Sequence, residues 1–256
     1  MTETKFPTEF IELPSKGHFY PEDNPLSSGK VEMKYMTARE EDILTSVNLI
    51  QQGIVLEKLL NALLIDKKIN LDDCLTGDKN ALLVGARVLA YGKDYDFEFT
   101  DSFGEQVKGI VDLTKLEEAK IDFSKIEKGH NTFSFTLPKT KRVLTFQLPT
   151  AKLEKNINDE IDAIKKVYKK NDAIEKNRST RLKHQILSVD GNTNRAFINS
   201  FVDNEFLSVD VLEFRRYVSS ISPDLQLQVE VDNSRGGKEI ATVPITVGFF
   251  WPEPRI

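Results

Sequence analysis

Reactive side chains are few and scattered in this sequence. It contains one cysteine, Cys74, and three histidines, His18, His130 and His184. None of the histidines has a serine, a cysteine or a carboxylate at a spacing typical of a catalytic or metal-binding motif, and glycine-rich phosphate loops are missing. Two aspartates precede Cys74, and acidic neighbours raise the pKa of a thiol and so disfavour the reactive thiolate. We therefore predict no catalytic residue, no metal site and no cofactor, and a protein that is not an enzyme.

A lysine-rich segment is the second place where the sequence could do chemistry. Basic residues recur from Lys165 to Lys183, and such side chains can replace the counterions of a phosphate backbone. Acidic residues are interleaved with them, and Tyr168 is the only aromatic platform. The whole chain has 35 basic and 40 acidic residues, a formal charge of -5. This balance predicts that the segment is a solvated helix and that the protein binds neither nucleic acid nor membrane. The alternative hypothesis is a nucleic-acid-binding adaptor.

Large aromatic residues stand near both ends of the chain, where polypeptides usually fray. Phe10, Phe19 and Tyr20 lie in an N-terminal arm, and Phe249, Phe250 and Trp251 lie close to the C-terminus. Something must cover them. The termini dock on the body of the same chain, or they anchor another subunit, because aromatic side chains dominate interface hot spots. Both interpretations stay open from the sequence, and we take Phe249, Phe250 and Trp251 as candidate partner-binding residues.

Periodicity defines the elements that must position these residues. The run 31–36 alternates apolar and polar residues and predicts a strand, followed by a capping box at Thr37–Glu40 that starts a helix. Leucines at helical spacing predict a helix from Ile54 to Leu64 and another from Thr76 to Tyr91, which Gly92 closes. Two β-hairpins follow, at 95–113 and 132–148.

A long charged helix is predicted at 151–187. Its apolar stripe is thin and consists of Ile157, Ile161, Ile164 and Tyr168. A helix with so narrow an apolar face leans on the body by that face alone or presents it to another protein. We take these four residues as candidates for helix-in-groove recognition by a partner.

The C-terminal third repeats an earlier order of elements. Short helices at 197–202 and 208–218 precede a hairpin with strands at 225–231 and 242–247. A helix carrying Arg215 is thus followed by a hairpin, as the helix carrying Arg87 is, which indicates a duplication of pattern rather than of residues. The predicted fold class is α+β, with two small helix-plus-hairpin lobes joined by the charged helix. The segments are 1–150, 151–187 and 188–256.

Three stretches of the sequence resemble a known family. They are Leu13–Tyr20, Pro25–Leu44 and the closing Phe249–Pro252, and they are similar to the baseplate hub assembly proteins of T4-type contractile-tailed bacteriophages. The resemblance implies a protein needed to build the central hub of the tail baseplate. It implies no catalytic residue, and it names other tail subunits as partners, with the tape-measure protein as one candidate.

The hairpin turns depart from the pattern of this family. Relatives often carry a Cys-x-x-Cys-Gly knuckle at each turn, which together make a zinc ribbon, whereas this chain has Thr100–Gly104 and Asp232–Gly236 there. The glycines are kept and the thiols are lost, so the resemblance implies degenerate zinc-ribbon-like hairpins without zinc. We expect hydrogen bonds to hold the turns, with Asp and Asn side chains accepting backbone amides.

These observations lead to the hypothesis of a non-catalytic tail-assembly protein that binds other tail subunits. It would act as a transient assembly chaperone or as a minor hub component, and the sequence leaves both open. No apolar run approaches the ~20 residues that span a bilayer, and Met1–Lys5 lack the apolar region of a signal peptide. We therefore expect it in the host cytoplasm during virion assembly, or in the virion baseplate.

Overall fold

A computed structural model describes residues 7–167 and 177–251 of the chain. In that part the helices are α1 Ala38–Thr45, α2 Val47–Gln51, α3 Val55–Leu63, α4 Thr76–Tyr91, α5 Ala151–Val167, α6 Asn177–Gln185, α7 Arg195–Asn204 and α8 Ser208–Ile221. The strands are β1 Thr8–Glu12, β2 Lys30–Lys34, β3 Asp94–Thr100, β4 Gln106–Asp112, β5 Phe133–Thr136, β6 Val143–Phe146, β7 Ile186–Val189, β8 Gln228–Asp232 and β9 Lys238–Thr242. They form four small antiparallel sheets, β1–β2, β3–β4, β5–β6–β7 and β8–β9. The predicted α+β class is confirmed.

The N-terminal elements follow the sequence pattern closely. In β2 the alternating residues Val31 and Met33 are buried, as a strand with one covered face requires. The Thr37 N–H donates a hydrogen bond to the Glu40 carboxylate at 3.0 Å, which starts α1 as the capping box predicts. Helix α4 has the predicted bounds, Thr76–Tyr91, and Gly92 follows it at a φ of 86°. Local signals were strong enough here to fix both the type and the ends of the elements.

The segment predicted as one helix over 151–187 is different in the structure. It contains α5 and α6, and its last residues begin β7, which pairs with β6. The Gln147 N–H donates to the Gln185 carbonyl at 3.0 Å. The end of α6 therefore lies beside the residues that precede α5. The prediction of a helix to Leu187 was wrong because a four-residue strand is too short to show a period of two. Residues 186–189 form a strand because they pair with the edge of β6 that β5 leaves open.

The C-terminal hairpin is shorter and tighter than predicted. Its second strand lies at Lys238–Thr242 and not at 242–247. Asn233 folds the intervening turn so that pairing resumes at Lys238, opposite Asp232. Pro244 has no N–H to donate and cannot extend the ladder, which explains why the apolar run after Thr242 is not a strand.

One hydrophobic cluster connects the elements from both ends of the chain. Its fully buried members include Leu13 in the arm, Leu60 in α3, Phe214 in α8 and Phe250 near the C-terminus. The β5–β6 hairpin packs on α8, with the Phe146 and Phe214 ring centroids 4.9 Å apart. The division into 1–150, 151–187 and 188–256 stays a prediction. The cores of the first and third segments are continuous.

The order of elements repeats in the structure. The hairpin β1–β2, the helices up to α4 and the hairpin β3–β4 are followed by β5–β6, the helices up to α8 and β8–β9. The arginines that suggested this duplication are not equivalent, because Arg87 is buried and Arg215 is exposed. What repeats is the order of hairpin, helices and hairpin, with β7 as an addition in the second half, and, as described below, two kinds of hydrogen-bonded side chain.

Gly77 sets how closely the C-terminal half approaches α4. A Cβ atom at this position would lie 1.9 Å from the Pro223 carbonyl oxygen, which is backbone and cannot turn aside. We expect Gly77→Ala to lower the free energy of unfolding by about 2–3 kcal/mol, the usual cost of overpacking. Denaturant unfolding measures this change.

Gly85→Ala is the matched control in the same helix. The three atoms nearest to its Cβ would all belong to the Ile11 side chain, the closest at 2.7 Å, and a side chain can move aside. The better helix propensity of alanine, worth about 1 kcal/mol, offsets part of that clash. Equal losses for the two variants would contradict the close approach at Gly77.

Candidate partner-binding surfaces

A buried carboxylate fastens the N-terminal arm to α4. Asp78, the third residue of α4, is fully buried, and its Oδ1 accepts the Ser15 N–H at 2.9 Å. Its Oδ2 accepts the Tyr20 hydroxyl at 2.5 Å, and that hydroxyl oxygen in turn accepts the Leu75 N–H at 2.9 Å. Burial raises the pKa of Asp78 above its ordinary value, although these hydrogen bonds oppose the rise. The arm is therefore part of the interior and not a free tail.

The cysteine and the three histidines, which could act as nucleophiles or bases, do not form a common site. Burial raises the pKa of the Cys74 thiol far above its ordinary value, so it stays protonated. His18 Nε2 lies 2.8 Å from the Ile126 carbonyl oxygen, His130 is exposed, and His184 Nε2 lies 2.7 Å from a Glu160 oxygen. Across residues 7–167 and 177–251, no three His, Cys, Asp or Glu side chains group as a metal site would need.

The C-terminal aromatic residues dock on the body of the chain. Phe249 and Phe250 are fully buried. The Arg87 guanidinium holds this segment, since its Nε donates to the Phe249 carbonyl oxygen at 2.9 Å. Trp251 is 47% exposed, so of these three residues it is the one whose side chain a partner can reach. A partner-binding role for the segment stays a prediction.

The apolar stripe of α5 faces the chain itself. Ile157 and Ile161 are buried and form a small cluster with Leu153, and Ile164 is half-buried. Tyr168 lies outside the described residues. In this structure the stripe stabilises the packing of α5 on its own chain, and a partner would have to displace that packing to use Ile157 or Ile161.

The polar side of α5 lines an open cleft. The cleft has a volume of about 670 Å³ and lies between α5, the start of α3 and the first turns of α4. Acidic side chains on its walls include Glu57, Asp72 and Asp159, and the half-exposed Ile50 stands at its edge. This is a second surface on which α5 is accessible.

The basic residues near α5 and α6 are partly neutralised. Arg181 forms an ion pair with Glu154 at 2.6 Å, and Lys183 pairs with Asp203 at 2.7 Å. Fewer positive charges are thus available to a phosphate backbone than the sequence indicates. Within residues 7–167 and 177–251, no structural observation favours the nucleic-acid alternative.

The two hairpin turns are structural copies of each other. The Asp101 carboxylate accepts the N–H groups of the residues two and four positions on, Phe103 and Glu105, each at 2.9 Å. The Asn233 carbonyl oxygen accepts those of Arg235 and Gly237 in the same way, at 3.0 and 2.9 Å. The expectation that Asp and Asn side chains hold these turns is confirmed. The zinc-ribbon likeness itself stays a prediction.

These turns also bind one another. The second oxygen of Asp101 accepts both the N–H and the hydroxyl of Ser234 in the other turn. In return, Glu239 of β9 accepts the Ser102 hydroxyl at 3.1 Å, and the Arg235 guanidinium lies 3.8 Å above the ring of Phe103. The hydrogen bonds, with that of Ser234 the strongest cause, lower the pKa of Asp101 to about 2. The two hairpins are thereby joined at their tips.

A second buried carboxylate repeats the role of Asp78. Asp210, the third residue of α8, is fully buried and accepts the Lys139 N–H at 2.7 Å and the Thr140 N–H at 3.0 Å. Lys139 follows Leu137 and Pro138 as Ser15 follows Leu13 and Pro14. Sequence reasoning missed both aspartates. The sequence did contain a signal for them. Each aspartate lies in the first turn of its helix, after Leu-Thr for Asp78 and after Leu-Ser for Asp210. Each also lies 23 residues before the residue that closes the next hairpin turn, Asp101 or Asn233.

The fold is that of an α+β protein made from two similar helix-and-hairpin halves, and its surface offers exposed apolar residues and an acidic cleft. The model of the family described as T4 bacteriophage base plate protein matches residues 7–251. The chain belongs to this family and is thus a phage baseplate protein. No curated protein and no solved structure matches it. No helix in the described ranges is both long and apolar enough to span a bilayer.

The Tyr20 hydroxyl can be tested by removing it. Tyr20→Phe leaves the Asp78 carboxylate and the Leu75 N–H without this partner in the interior. We expect the free energy of unfolding to fall by about 2–3 kcal/mol, the penalty for unpaired buried polar groups. Denaturant unfolding of both proteins gives the difference.

Tyr91→Phe is the control, because its hydroxyl meets Glu41 at the surface, at 3.2 Å. We expect a change within about 0.5 kcal/mol there. A loss no larger for Tyr20→Phe than for this control would show that the arm is held by apolar contacts alone.

The link between the hairpin tips should make stability depend on pH. Because the folded pKa of Asp101 is about 2, its contribution is present above the ordinary carboxyl pKa of about 4 and is lost as the pH falls towards 2. We expect Asp101→Asn to unfold at a lower temperature than the wild type at neutral pH, with a gap that narrows below pH about 4. Thermal unfolding monitored by circular dichroism measures the gap.

Glu105→Gln removes the same charge from the same turn without removing those side-chain hydrogen bonds, and should leave the unfolding temperature nearly unchanged. A gap for Asp101→Asn that stays constant down to pH about 2 would exclude the carboxylate as its source.

Proposed function

We propose that the chain is a baseplate hub assembly protein that acts by binding other tail subunits, without catalysing a reaction. The observation that carries the proposal is the family match over residues 7–251, joined to the N-terminal stretches Leu13–Tyr20 and Pro25–Leu44, which resemble hub assembly proteins. The tape-measure protein is one candidate partner. The working places of such a protein are the host cytoplasm during assembly and the baseplate of the virion.

The environment of the reactive groups supports a role without catalysis. Burial raises the pKa of both Tyr20 and Cys74, so neither is poised to exchange a proton near neutral pH. Asp78 is occupied by two hydrogen bonds that hold the arm. Tyr20 and Asp78 therefore have a structural task that explains their burial.

Exposed apolar side chains support binding to other proteins. They occur on α2, at the β3–β4 turn, at the start of α8 and at the C-terminus: Val47, Ile50, Phe103, Leu207, Val209, Leu212 and Trp251. An aromatic anchor such as Trp251 supplies much of the energy of a protein interface, and the contacts around such an anchor exclude water from it. A subunit that assembles into a larger body needs such groups on its outside before assembly.

A transient chaperone and a permanent hub component make the same contacts but differ in their fate. Mass spectrometry of purified virions separates the two, because a chaperone leaves the finished particle. Peptides of this chain at the level of other baseplate subunits would identify a component, and their absence would identify a chaperone.

Affinity purification of the tagged full chain from infected cells tests the proposal. We expect baseplate hub proteins or the tape-measure protein to be enriched at least about tenfold over a tagged control. Trp251→Ala should reduce this recovery severalfold, because the exposed indole is a predicted anchor.

Ile110→Ala is the matched variant, since Ile110 is an exposed apolar residue on the β3–β4 hairpin. It should retain the recovery. Enrichment of no tail protein by the wild-type chain would overturn the proposed function.

A further inference from the structure

Three exposed apolar residues stand together at the start of α8. Leu207, Val209 and Leu212, called the α8 patch here, are 45%, 51% and 49% exposed. Val209 and Leu212 are three positions apart and share one face of the helix. Apolar groups placed side by side at a helix start are unusual on a free surface, and another part of the same structure indicates what would cover them.

Helix α4 begins in the same way as α8. Leu75 precedes α4 with φ of -58° and ψ of 146°. Leu207 precedes α8 with nearly the same angles, φ of -60° and ψ of 139°. Each leucine carbonyl accepts the N–H four residues on, at 2.9 Å in both. The buried aspartates at the third helical position hold a Leu-Pro turn in both halves. Residues 132 positions apart are thus equivalent, and Leu75, Gly77 and Asn80 correspond to the α8 patch.

In α4 this face is covered by two extended segments, each of which contains a proline. Leu75 pairs with Thr150 in an antiparallel bridge, in which the Thr76 N–H donates to the Pro149 carbonyl at 3.0 Å. The second segment passes Gly77 at Pro223, and the Asn80 amide donates to the Asp224 carboxylate at 3.1 Å. The face that is exposed in α8 is therefore a docking face in α4.

At α8 the polar half of that docking site is also open. The Ser208 N–H is equivalent to the Thr76 N–H, and within 7–167 and 177–251 no group accepts a hydrogen bond from it. An extended segment can accept from this N–H with a backbone carbonyl, whereas a helix has its carbonyls occupied. The residue before a proline is extended, which suits such a segment.

We propose that the α8 patch binds an extended, proline-containing segment of a partner protein, which pairs with the start of α8 as Pro149–Thr150 pairs with the start of α4. The partner's carbonyl accepts the Ser208 N–H, and its apolar side chains cover Leu207, Val209 and Leu212. Because Val209 has a side chain where α4 has Gly77, the partner's backbone lies farther from this helix than the Pro223 backbone lies from α4. This inference rests on the proposed function for the nature of the partner, another tail protein.

Site-specific cross-linking of the full chain in infected cells tests the inference. A benzophenone amino acid replaces Leu212 in one protein and, in the control, Ile240, an apolar residue on β9 that is 63% exposed. We expect position 212 to capture a single peptide of a tail protein that contains proline. Capture of a second copy of this chain, equal capture at position 240, or no capture would overturn the inference.

Two variants report on the kind of contact. Val209→Ser combined with Leu212→Ser should reduce recovery of the captured protein about tenfold, and Ile240→Ser should leave it unchanged. Ser208→Pro removes the N–H together with the exposed hydroxyl, and proline is tolerated in the first helical position after an extended residue. It should also weaken recovery severalfold, and full recovery would exclude an extended partner.

Thermal unfolding shows whether these variants fold, and all four positions are at the surface. The outcome is separable from that of the proposed function. If affinity purification enriches tail proteins but position 212 captures none of them, only the inference about α8 fails.

Discussion

The structure depends on a carboxylate placed where water cannot reach it. An ionised group in the interior is costly unless hydrogen bonds replace its water. Asp78 meets this condition only when the Ser15 N–H and the Tyr20 hydroxyl are both in place. The irregular arm has backbone amides that no sheet or helix satisfies, so arm and helix complete each other. Once the arm is fixed, α4 has a defined position against Pro223 at Gly77 and against Phe249 through Arg87.

The second half of the chain uses the same solution. Asp210 fastens the Lys139–Thr140 turn to α8 as Asp78 fastens the arm to α4. At the far end of each half, an Asp or Asn side chain closes a hairpin turn, and Asp101 then reaches across to Ser234. A carboxylate that accepts several N–H groups holds a turn without any metal or disulfide. The halves are thus linked by hydrogen bonds at the hairpins and by a continuous apolar core.

The consequence for a baseplate protein is a division between closed and open surfaces. Phe19 and Tyr20 of the arm and the C-terminal Phe249 and Phe250 are buried, whereas Phe10 of the arm is 57% exposed. Among the described residues, Trp251, the cleft beside α5 and the start of α8 are exposed. The two halves are alike, but within 7–167 and 177–251 only the first is covered at its helix start, and this difference is the basis of the proposed partner site at α8.

The sequence alone determined the elements whose signals are local: the capping box at Thr37–Glu40, the bounds of α4, and the hairpins with their Asp and Asn turns. It also determined the family, through the N-terminal stretches. Only the tertiary structure decided that Ile186–Val189 is a strand, that Ile157 and Ile161 face inward, and that Asp78 and Asp210 are buried. Each of these depends on a partner far along the chain, such as Tyr20 for Asp78 or β6 for β7. A periodic pattern records only which face of an element is apolar and not what will cover it.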